Sequence, residues 1–392
     1  MELPGAAVRD MVQRERMAFL IVRAMKVCIW TIYPNHYQDV FFDALRTEGI
    51  DLRVCYFGRY CRNRLSMGWV QPKQLSDGEF YVSTIAQAKA VIPDFDERVL
   101  VNTGYYNAIY WQVIRYAHQN NMKWVHWSEA SSQRLRGFLQ RKCYGTCVRR
   151  FALGAFAIGN LAKRDFRRWG IPDEKIKYLP YTTPFLSNLK TGVDLKGADE
   201  REGLTFIYCG TLCKRKATDL VLLAVEKVHK KYPAVRLRLI GNQDLGRASA
   251  RRLGLLEQQG YVNYIGAVAP GDIDAEWMQG DVCLLPSRFD GWGLALAEGA
   301  RNGLALIGSD RCGAAEHLIV PGKSGLLVRS GDADSLAEAM MRFAANPALA
   351  REYGKEARRL VEDTAGVVNA MRFVKGIEGW LVIGGYAKGM RF

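Results

Sequence analysis

The sequence has no apolar run of the roughly 18 residues that a transmembrane helix needs. Its longest candidate, residues 151–162, is interrupted by Gly154, Gly159 and Asn160, which is typical of a buried strand. Residues 1–24 carry mixed charges and only a short apolar patch, unlike a signal peptide. We therefore expect a cytoplasmic protein in which 1–24 are an N-terminal extension ahead of a second methionine, Met25.

The sequence also lacks the spacing of a metal site. It has nine cysteines and five histidines, and the pair Cys209 and Cys213 has no nearby His or Cys to complete a zinc ligand set. Cysteines that are scattered, odd in number and often inside apolar runs are typical of buried thiols in a reducing compartment. We expect no structural metal.

Length and periodicity predict two domains of one class. The 392 residues are too many for one ordinary domain. Predicted strands span 25–32, 52–57, 90–92, 99–101, 124–126 and 155–158, helices lie between them, and the alternation restarts at 204. This pattern predicts α/β domains with parallel sheets. We expect two Rossmann-like, doubly wound domains at 25–190 and 204–365, a linker at 191–203, and strand ends facing a central cleft.

The strongest motif lies between a predicted strand at 282–285 and a predicted helix at 294–302. Asp290 lies in the connecting loop, Gly291 and Gly293 flank Trp292, and Glu298 lies just over one turn into the helix. Glycines let a backbone approach a ligand closely, and unpaired N–H groups at a helix start bind phosphate. Glu298 can accept hydrogen bonds from the vicinal hydroxyls of a ribose. The motif therefore predicts a nucleotide-sugar site.

This segment resembles the Glu-x7-Glu motif of the family-four retaining glycosyltransferases of the GT-B fold (glycosyltransferase group 1 type), with Asp290 at the place of the first glutamate. The resemblance implies that Glu298 binds the ribose and that Asp290 contacts the donor sugar. It assigns the diphosphate to the backbone of Gly291, Trp292, Gly293 and Leu294. It also implies metal-independent, retaining sugar transfer and a last segment, 366–392, that crosses back onto the first domain.

A second motif follows the predicted strand at 204–208 and resembles the family's Gly-Arg-Leu-x-x-Arg-Lys-Gly-x-Asp stretch, whose cations neutralise the donor diphosphate. Arg215 and Lys216 match it, whereas Thr211 replaces an arginine and Ala217 a glycine. Two later loops fit a nucleotide pocket, with Val268 beside the base. These donor-binding predictions comprise Gly210, Thr211, Arg215, Lys216, Gly241 and Val268.

The first domain offers two further candidates at the end of a predicted strand. His126 and Glu129 lie in a stretch that resembles the family's first-domain loop beside the reaction centre. The resemblance implies that one of them binds the donor sugar or receives the acceptor's proton. A packed, hydrogen-bonded histidine is the alternative for His126. With Asp290, these two residues are the predicted catalytic set.

A basic region between 134 and 168 points to an anionic partner. Its ten cations face one acid, Asp165, and comprise Arg134, Arg136, Arg141, Lys142, Arg149, Arg150, Lys163, Arg164, Arg167 and Arg168. Helical spacing of the apolar residues between them predicts an amphipathic helix, either lying on an anionic membrane or simply solvated. With the family resemblance, it favours a lipid-linked glycan acceptor in surface-polysaccharide or lipopolysaccharide biosynthesis, with UDP-sugar as a more frequent donor than GDP-sugar.

Two other functions remain open at this point. A sugar-nucleotide epimerase has the same fold. A non-catalytic nucleic-acid or glycan-binding protein could use the net charge of +15. The paired acids in the predicted cleft and the absence of a known nucleic-acid module argue against nucleic acid as the partner.

Overall fold

The computed structural model describes residues 25–59, 74–131, 137–184 and 203–383. The predicted extension at 1–24 and nearly all of the predicted linker at 191–203 lie outside these ranges. Within these four ranges, no helix is long and apolar enough to cross a bilayer.

The first domain is a seven-stranded parallel sheet in the order β3-β2-β1-β4-β5-β6-β7. Its strands are β1 (Lys26–Thr31), β2 (Asp51–Tyr56), β3 (Glu79–Tyr81), β4 (Val99–Asn102), β5 (Trp124–Glu129), β6 (Gly154–Ile158) and β7 (Ile176–Tyr178). Its helices are α1 (His36–Thr47), α2 (Ile85–Val91), α3 (Ala108–Gln119), α4 (Phe138–Phe151) and α5 (Gly159–Arg168). The side chains of β1 from 27 to 30 are all fully buried, because helices cover both faces of the sheet.

The second domain is a six-stranded parallel sheet in the order β12-β10-β8-β13-β14-β15, beside a two-stranded β9-β11 pair. Its strands are β8 (Thr205–Cys209), β9 (Leu212–Cys213), β10 (Arg236–Ile240), β11 (Gln243–Asp244), β12 (Val262–Gly266), β13 (Val282–Leu285), β14 (Ala305–Ser309) and β15 (Gly325–Val328). Its helices are α6 (Thr218–Lys231), α7 (Arg247–Gln258), α8 (Ile273–Trp277), α9 (Leu294–Arg301), α10 (Ala315–Leu318), α11 (Ala333–Ala345) and α12 (Pro347–Val361).

The strand orders explain where the site lies. The chain winds outward from β1 and returns to pair β4 with β1, and it repeats this with β8 and β13 in the second domain. Ligands of doubly wound sheets bind at such reversal points, beyond the carboxyl ends of the strands. The loops that leave β8 and β13 carry the two sequence motifs. The predicted two-domain α/β architecture is confirmed.

The prediction of a strand at 90–92 is wrong. Residues 90 and 91 end helix α2, which begins after Thr84, whose hydroxyl accepts a hydrogen bond from the Gln87 amide at 3.2 Å. This cap stabilises a helix where a short apolar run fits either structure. The strand that pairs with β2 at that edge of the sheet is β3.

The last described helix, α13 (Gly366–Ile383), leaves the second domain and packs on the first. Phe373 stacks on Phe156 of β6 with ring centroids 5.3 Å apart, and Trp380 lies 4.8 Å from the same ring. Asn369 donates a hydrogen bond to the Pro180 carbonyl oxygen at 3.2 Å. The helix therefore forms part of the first domain's core.

Candidate functional site

Two neighbouring cavities lie in the cleft between the domains. The larger, of about 690 Å³, is lined mostly by the strand ends of the first domain. The smaller, of about 380 Å³, is lined mostly by the second domain. They share Asn35, Glu129, Tyr181 and Asp290, which mark their junction.

Bare backbone forms one wall of the smaller cavity. Gly210 and Gly241 follow β8 and β10 with φ of 140° and 130°, values that residues with a side chain rarely adopt. A Cβ atom on Gly241 would overlap the Gly210 carbonyl oxygen. Val268 lies on the same cavity wall, where the sequence predicted a contact with the base. This wall lets a flat, polar ligand approach the main chain.

The start of helix α9 forms another wall. Gly293 precedes the helix with φ of 104°, and a Cβ atom there would overlap the Cys312 sulphur. The first turn has neither a side-chain cap nor an acidic residue, and residues 292–295 line the cavity. The amide groups at a helix start lack intrahelical partners, and the helix dipole favours an anion there. This wall therefore suits the predicted diphosphate.

The cations and the acid predicted to bind the donor lie together. Lys216 Nζ forms an ion pair with Asp290 Oδ2, and both side chains are largely buried. Arg215 donates to the Phe289 carbonyl oxygen at 3.1 Å, next to Asp290, and lines the larger cavity. Thr211 lines neither cavity, because its loop turns aside to pair β9 with β11. Its predicted donor contact is thus not part of this arrangement.

A salt bridge that the sequence reasoning missed joins the two motifs. The Arg288 guanidinium contacts both carboxylate oxygens of Asp219, at 2.6 and 2.8 Å. The Arg288 amide also donates to the Arg215 carbonyl oxygen at 2.9 Å. A bidentate pair fixes orientation as well as distance. It holds the basic turn beside the Asp290 loop, and its only sequence signal was an acid and an arginine near the motifs.

Glu298 lines the smaller cavity, and burial raises its pKa. The hydroxyl of Tyr37, from the first domain, donates a hydrogen bond to Glu298 Oε1. Burial also raises the pKa of Tyr37 well above its ordinary value, so this hydroxyl keeps its proton. Sequence reasoning missed Tyr37, because no local pattern relates it to a helix 261 positions away.

Glu129 lies at the junction of the cavities, facing the second domain. A Cβ atom on Gly291 would lie 2.6 Å from its carboxyl carbon, so only a glycine at 291 permits this approach. The carboxylate is accessible from the cleft, yet enclosure by the two domains, followed by repulsion from Asp290, raises its pKa to about 7. A carboxyl group with this pKa exchanges a proton near neutrality.

His126 is placed beneath the cleft rather than in it. Its side chain is fully buried and lines neither cavity. Nδ1 lies 3.1 Å from the Asn102 carbonyl oxygen, and Nε2 lies 2.8 Å from Ser128 Oγ. Burial lowers its pKa to about 3. Side chains of a strand alternate between the two faces of the sheet, so His126 and Glu129, three positions apart on β5, point to opposite faces. The structure therefore separates His126 from the other two predicted catalytic residues.

The predicted basic region divides into three parts. Arg134 and Arg136 lie outside the described residues. Arg164 pairs with Glu316 and Arg167 with Asp173, so these two cations serve structural contacts. Lys163 and Arg168 also lie on α5, where Arg168 Nη1 is 3.7 Å from Asp165 Oδ1. Helix α4 carries the other four cations: Phe138 and Leu139 are 50% and 77% exposed at its start, and Lys142 lies over the Phe138 ring. Arg149 and Arg150 are exposed, whereas Arg141 lines the larger cavity.

Comparison with known proteins agrees with this geometry. Residues 196–360 match the family model of Glycosyl transferases group 1. Over 160 residues the chain is 29% identical to a lipopolysaccharide core biosynthesis mannosyltransferase, LpcC, of Rhizobium leguminosarum bv. viciae, covering 39% of this chain and 44% of that protein. It is 30% identical over 157 residues to an exopolysaccharide phosphotransferase of Streptomyces coelicolor, covering 40% of this chain and 16% of that protein. The matches thus span less than half the length of either relative.

Solved structures match across both domains. Anabaena HepE in complex with UDP and glucose superimposes with a TM-score of 0.69 at 14% identity, covering 90% of this chain and 99% of that one. Sucrose-phosphate synthase from Thermosynechococcus elongatus gives a TM-score of 0.69 at 18% identity, covering 93% and 100%. At these identities the likeness concerns the fold, which is GT-B.

Proposed function

We propose that this chain, with its GT-B fold and a glycosyltransferase group 1 domain at 196–360, transfers a sugar from a UDP-sugar to a hydroxyl of a glycan or lipid-linked glycan. The observation that carries the proposal is one cavity that combines the Lys216–Asp290 pair, the uncapped start of α9 and Glu298. This cavity therefore offers groups that can bind a diphosphate, a sugar and a ribose.

The donor lies in the smaller cavity in this proposal. Glu298 accepts hydrogen bonds from the ribose hydroxyls, Val268 contacts the base, and the backbone from 291 to 294 binds the diphosphate. Asp290, at the junction with the larger cavity, contacts the donor sugar. Uracil as the base is supported by solved structures with this fold, such as HepE in complex with UDP and glucose.

The chemistry rests on the stabilisation of negative charge. The bond between the anomeric carbon and the diphosphate oxygen breaks, and the acceptor oxygen bonds to the same face of that carbon, so configuration is retained. Lys216, Arg215 and the α9 start stabilise the charge that develops on the leaving diphosphate, as fixed groups do most effectively. Glu129 receives the acceptor's proton. Protein cations do the work of a metal in this scheme, so activity should survive exhaustive dialysis against EDTA.

A nucleotide-binding experiment tests the proposal. UDP and UDP-sugars should raise the melting temperature of the wild type more than GDP or ADP do. Glu298→Ala should weaken UDP binding by at least about tenfold, since a hydrogen bond to a charged group contributes about 1.5–3 kcal/mol. Glu352→Ala, on the exposed side of α12, is the matched control. The proposal is refuted if none of the nucleotides raises the melting temperature.

Product analysis separates the remaining functions. An epimerase would interconvert UDP-sugars without an acceptor, which NMR of the nucleotide fraction detects. A nucleic-acid binder would retain random DNA in a salt-sensitive manner. Transfer of label from UDP-sugar to a glycan, with a retained anomeric configuration in the product, is the result expected here.

We further propose that the protein works at the cytoplasmic face of a membrane, with α4 on the anionic lipid surface. The exposed Phe138 and Leu139, with Lys142 over the Phe138 ring and Arg150 about three turns further along the helix, support this, because apolar side chains on a basic helix favour an anionic interface. Leu139→Glu should reduce co-sedimentation with phosphatidylglycerol vesicles. Leu255→Glu, at a leucine 50% exposed on α7, should not. Equal loss in both variants, or no binding by the wild type, contradicts this assignment.

A further inference from the structure

Aromatic residues make up about a third of those that line the larger cavity. They include Tyr33, Tyr105, Tyr106, Tyr110, Trp127 and Phe289. Tyr106 is 63% exposed, and its ring meets Tyr105 and Tyr110 edge to face at 6.0 and 5.8 Å. Ring faces held in this way suit the flat C–H faces of a sugar, and pockets lined by rings with a few polar groups bind small polar organic molecules.

One cation of the first domain reaches this cavity. Arg141, in the first turns of α4, lines it, and its charge lies near the Tyr105 side chain. The Tyr105 ring is held by Trp169 and Tyr144, at centroid distances of 5.0 and 5.6 Å. Arg141 therefore lies beside a part of the wall that packing keeps rigid.

The charges in the cavity are unevenly distributed. Its two acids, Glu129 and Asp290, lie at the junction, since both also line the smaller cavity. Asp290 is already paired with Lys216, and the raised pKa of Glu129 leaves it close to half protonated at neutral pH. Arg141 does not line the smaller cavity, so its charge belongs to the part of the cavity beyond the reaction centre.

We propose that the acceptor carries an oxyanion, either a carboxylate or a phosphate ester, on the sugar that enters the larger cavity, and that Arg141 binds it. This inference rests on the proposed function, because it takes the larger cavity as the acceptor site. The planar guanidinium matches the two oxygens of a carboxylate or phosphate, so it can bind both at once. Arg215 also lines only the larger cavity, but it donates to the Phe289 carbonyl oxygen beside Asp290, so it lies near the junction and serves the donor.

Matched monosaccharides test the proposal on the full chain saturated with UDP. For each of the gluco, galacto and manno rings, the probes are the neutral methyl glycoside, its 6-carboxylate and its 6-phosphate, measured by saturation-transfer NMR at constant ionic strength. At least one charged probe should bind about tenfold more tightly than its neutral partner, as expected for one charge-assisted contact. A preference for the carboxylate identifies a uronic acid, and a preference for the phosphate a phosphorylated sugar.

Variants test whether Arg141 causes the preference for a charged probe. Arg141→Gln should remove it, Arg141→Lys should keep part of it, and Arg149→Gln, an exposed arginine on the same helix, should keep all of it. Neutral probes that bind as well as charged ones, or a preference that survives Arg141→Gln, overturn the inference. If UDP fails to stabilise the wild type, the proposed function fails instead, so the two failures are distinguishable.

Discussion

The hydroxyl of Tyr37 donates a hydrogen bond across the cleft to the carboxylate of Glu298. The first residue belongs to helix α1 of the first domain, and the second to helix α9 of the second. In our proposal Glu298 also binds the ribose, so the tyrosine and the nucleotide compete for hydrogen bonds to the same carboxylate. The contact therefore couples the approach of the two domains to the occupancy of the donor site.

Tyr37→Phe should tighten UDP binding by at least about tenfold. The variant removes a hydrogen bond to a charged group, worth about 1.5–3 kcal/mol, from the nucleotide-free protein and leaves the ribose contact intact. Isothermal titration calorimetry measures the change. Tyr116→Phe is the control, because Tyr116 also donates to a carboxylate, Asp96 at 2.7 Å, but lines neither cavity. Weaker UDP binding by Tyr37→Phe would mean that the hydroxyl contacts the nucleotide directly.

Alanine at Gly291 and at Gly293 should have different effects. At Gly291 the three atoms nearest to the new methyl group all belong to the Glu129 side chain, at 2.6–2.9 Å, so that side chain moves while the fold persists. We expect a lower kcat with nearly unchanged UDP affinity and melting temperature. At Gly293 the methyl group would overlap the Cys312 sulphur, with φ of 104°, which should cost about 1–3 kcal/mol of stability. Parallel thermal melts and donor titrations check both, and equal loss of stability would contradict the distinction.

The pH dependence of stability should show the environment of Glu129. Folding raises its pKa from 4.5 to about 7, so the folded chain binds this proton more tightly than the unfolded chain. The stabilisation from that proton is complete below about pH 4.5 and is lost as the pH rises through about 7. Glu129→Gln should therefore raise the melting temperature at pH 8 relative to the wild type more than at pH 4. Glu352→Gln should give the same small difference at both.

The same titration should appear in catalysis. If Glu129 receives the acceptor's proton, kcat/KM rises with pH up to about 7, because only the ionised carboxylate can accept. Glu129→Gln should lower the rate by about 10²- to 10⁴-fold and abolish this rise. A variant that keeps the wild-type pH profile would assign the proton to another group, such as the leaving diphosphate.

Ala217→Gly should cost the second domain much less stability than Ala224→Gly. Ala217 precedes helix α6 in the left-handed conformation, with φ of 61°, which costs an alanine about 1–2 kcal/mol. Relief of this strain offsets the roughly 0.5–1 kcal/mol of backbone freedom that glycine loses and the roughly 0.8 kcal/mol lost with the buried methyl group. Ala224, inside α6, is equally buried and has no strain to relieve. Calorimetry should therefore show a clear decrease in melting temperature for Ala224→Gly only, and an equal decrease for both variants would contradict the interpretation.

The sequence predicted what depends on local periodicity and on motifs. The strands that lead into the two motifs, and the glycines that follow those strands, are recognised from residues close together in the chain. The error at 90–92 arose because a three-residue apolar run fits a helix as well as a strand, and the Thr84 cap decided between them.

Contacts between distant segments were beyond sequence reasoning. Tyr37 meets Glu298 only because the two domains approach each other. Arg288 meets Asp219 because β13 and β8, far apart in the chain, are neighbours in one sheet. The burial of His126 follows from which face of β5 turns toward Tyr144 and Phe166, at centroid distances of 5.0 and 5.2 Å. Neither relationship leaves a periodic signal.

The packing of α13 on the first domain has a consequence for synthesis. Phe373 and Trp380 complete the core around Phe156, and Lys177 donates to the Gly376 carbonyl oxygen at 2.8 Å. The ribosome releases these residues after both sheets have been made. The first domain therefore waits, with one apolar face uncovered, through the synthesis of the whole second domain, and a chaperone that shields this face would matter most in that interval.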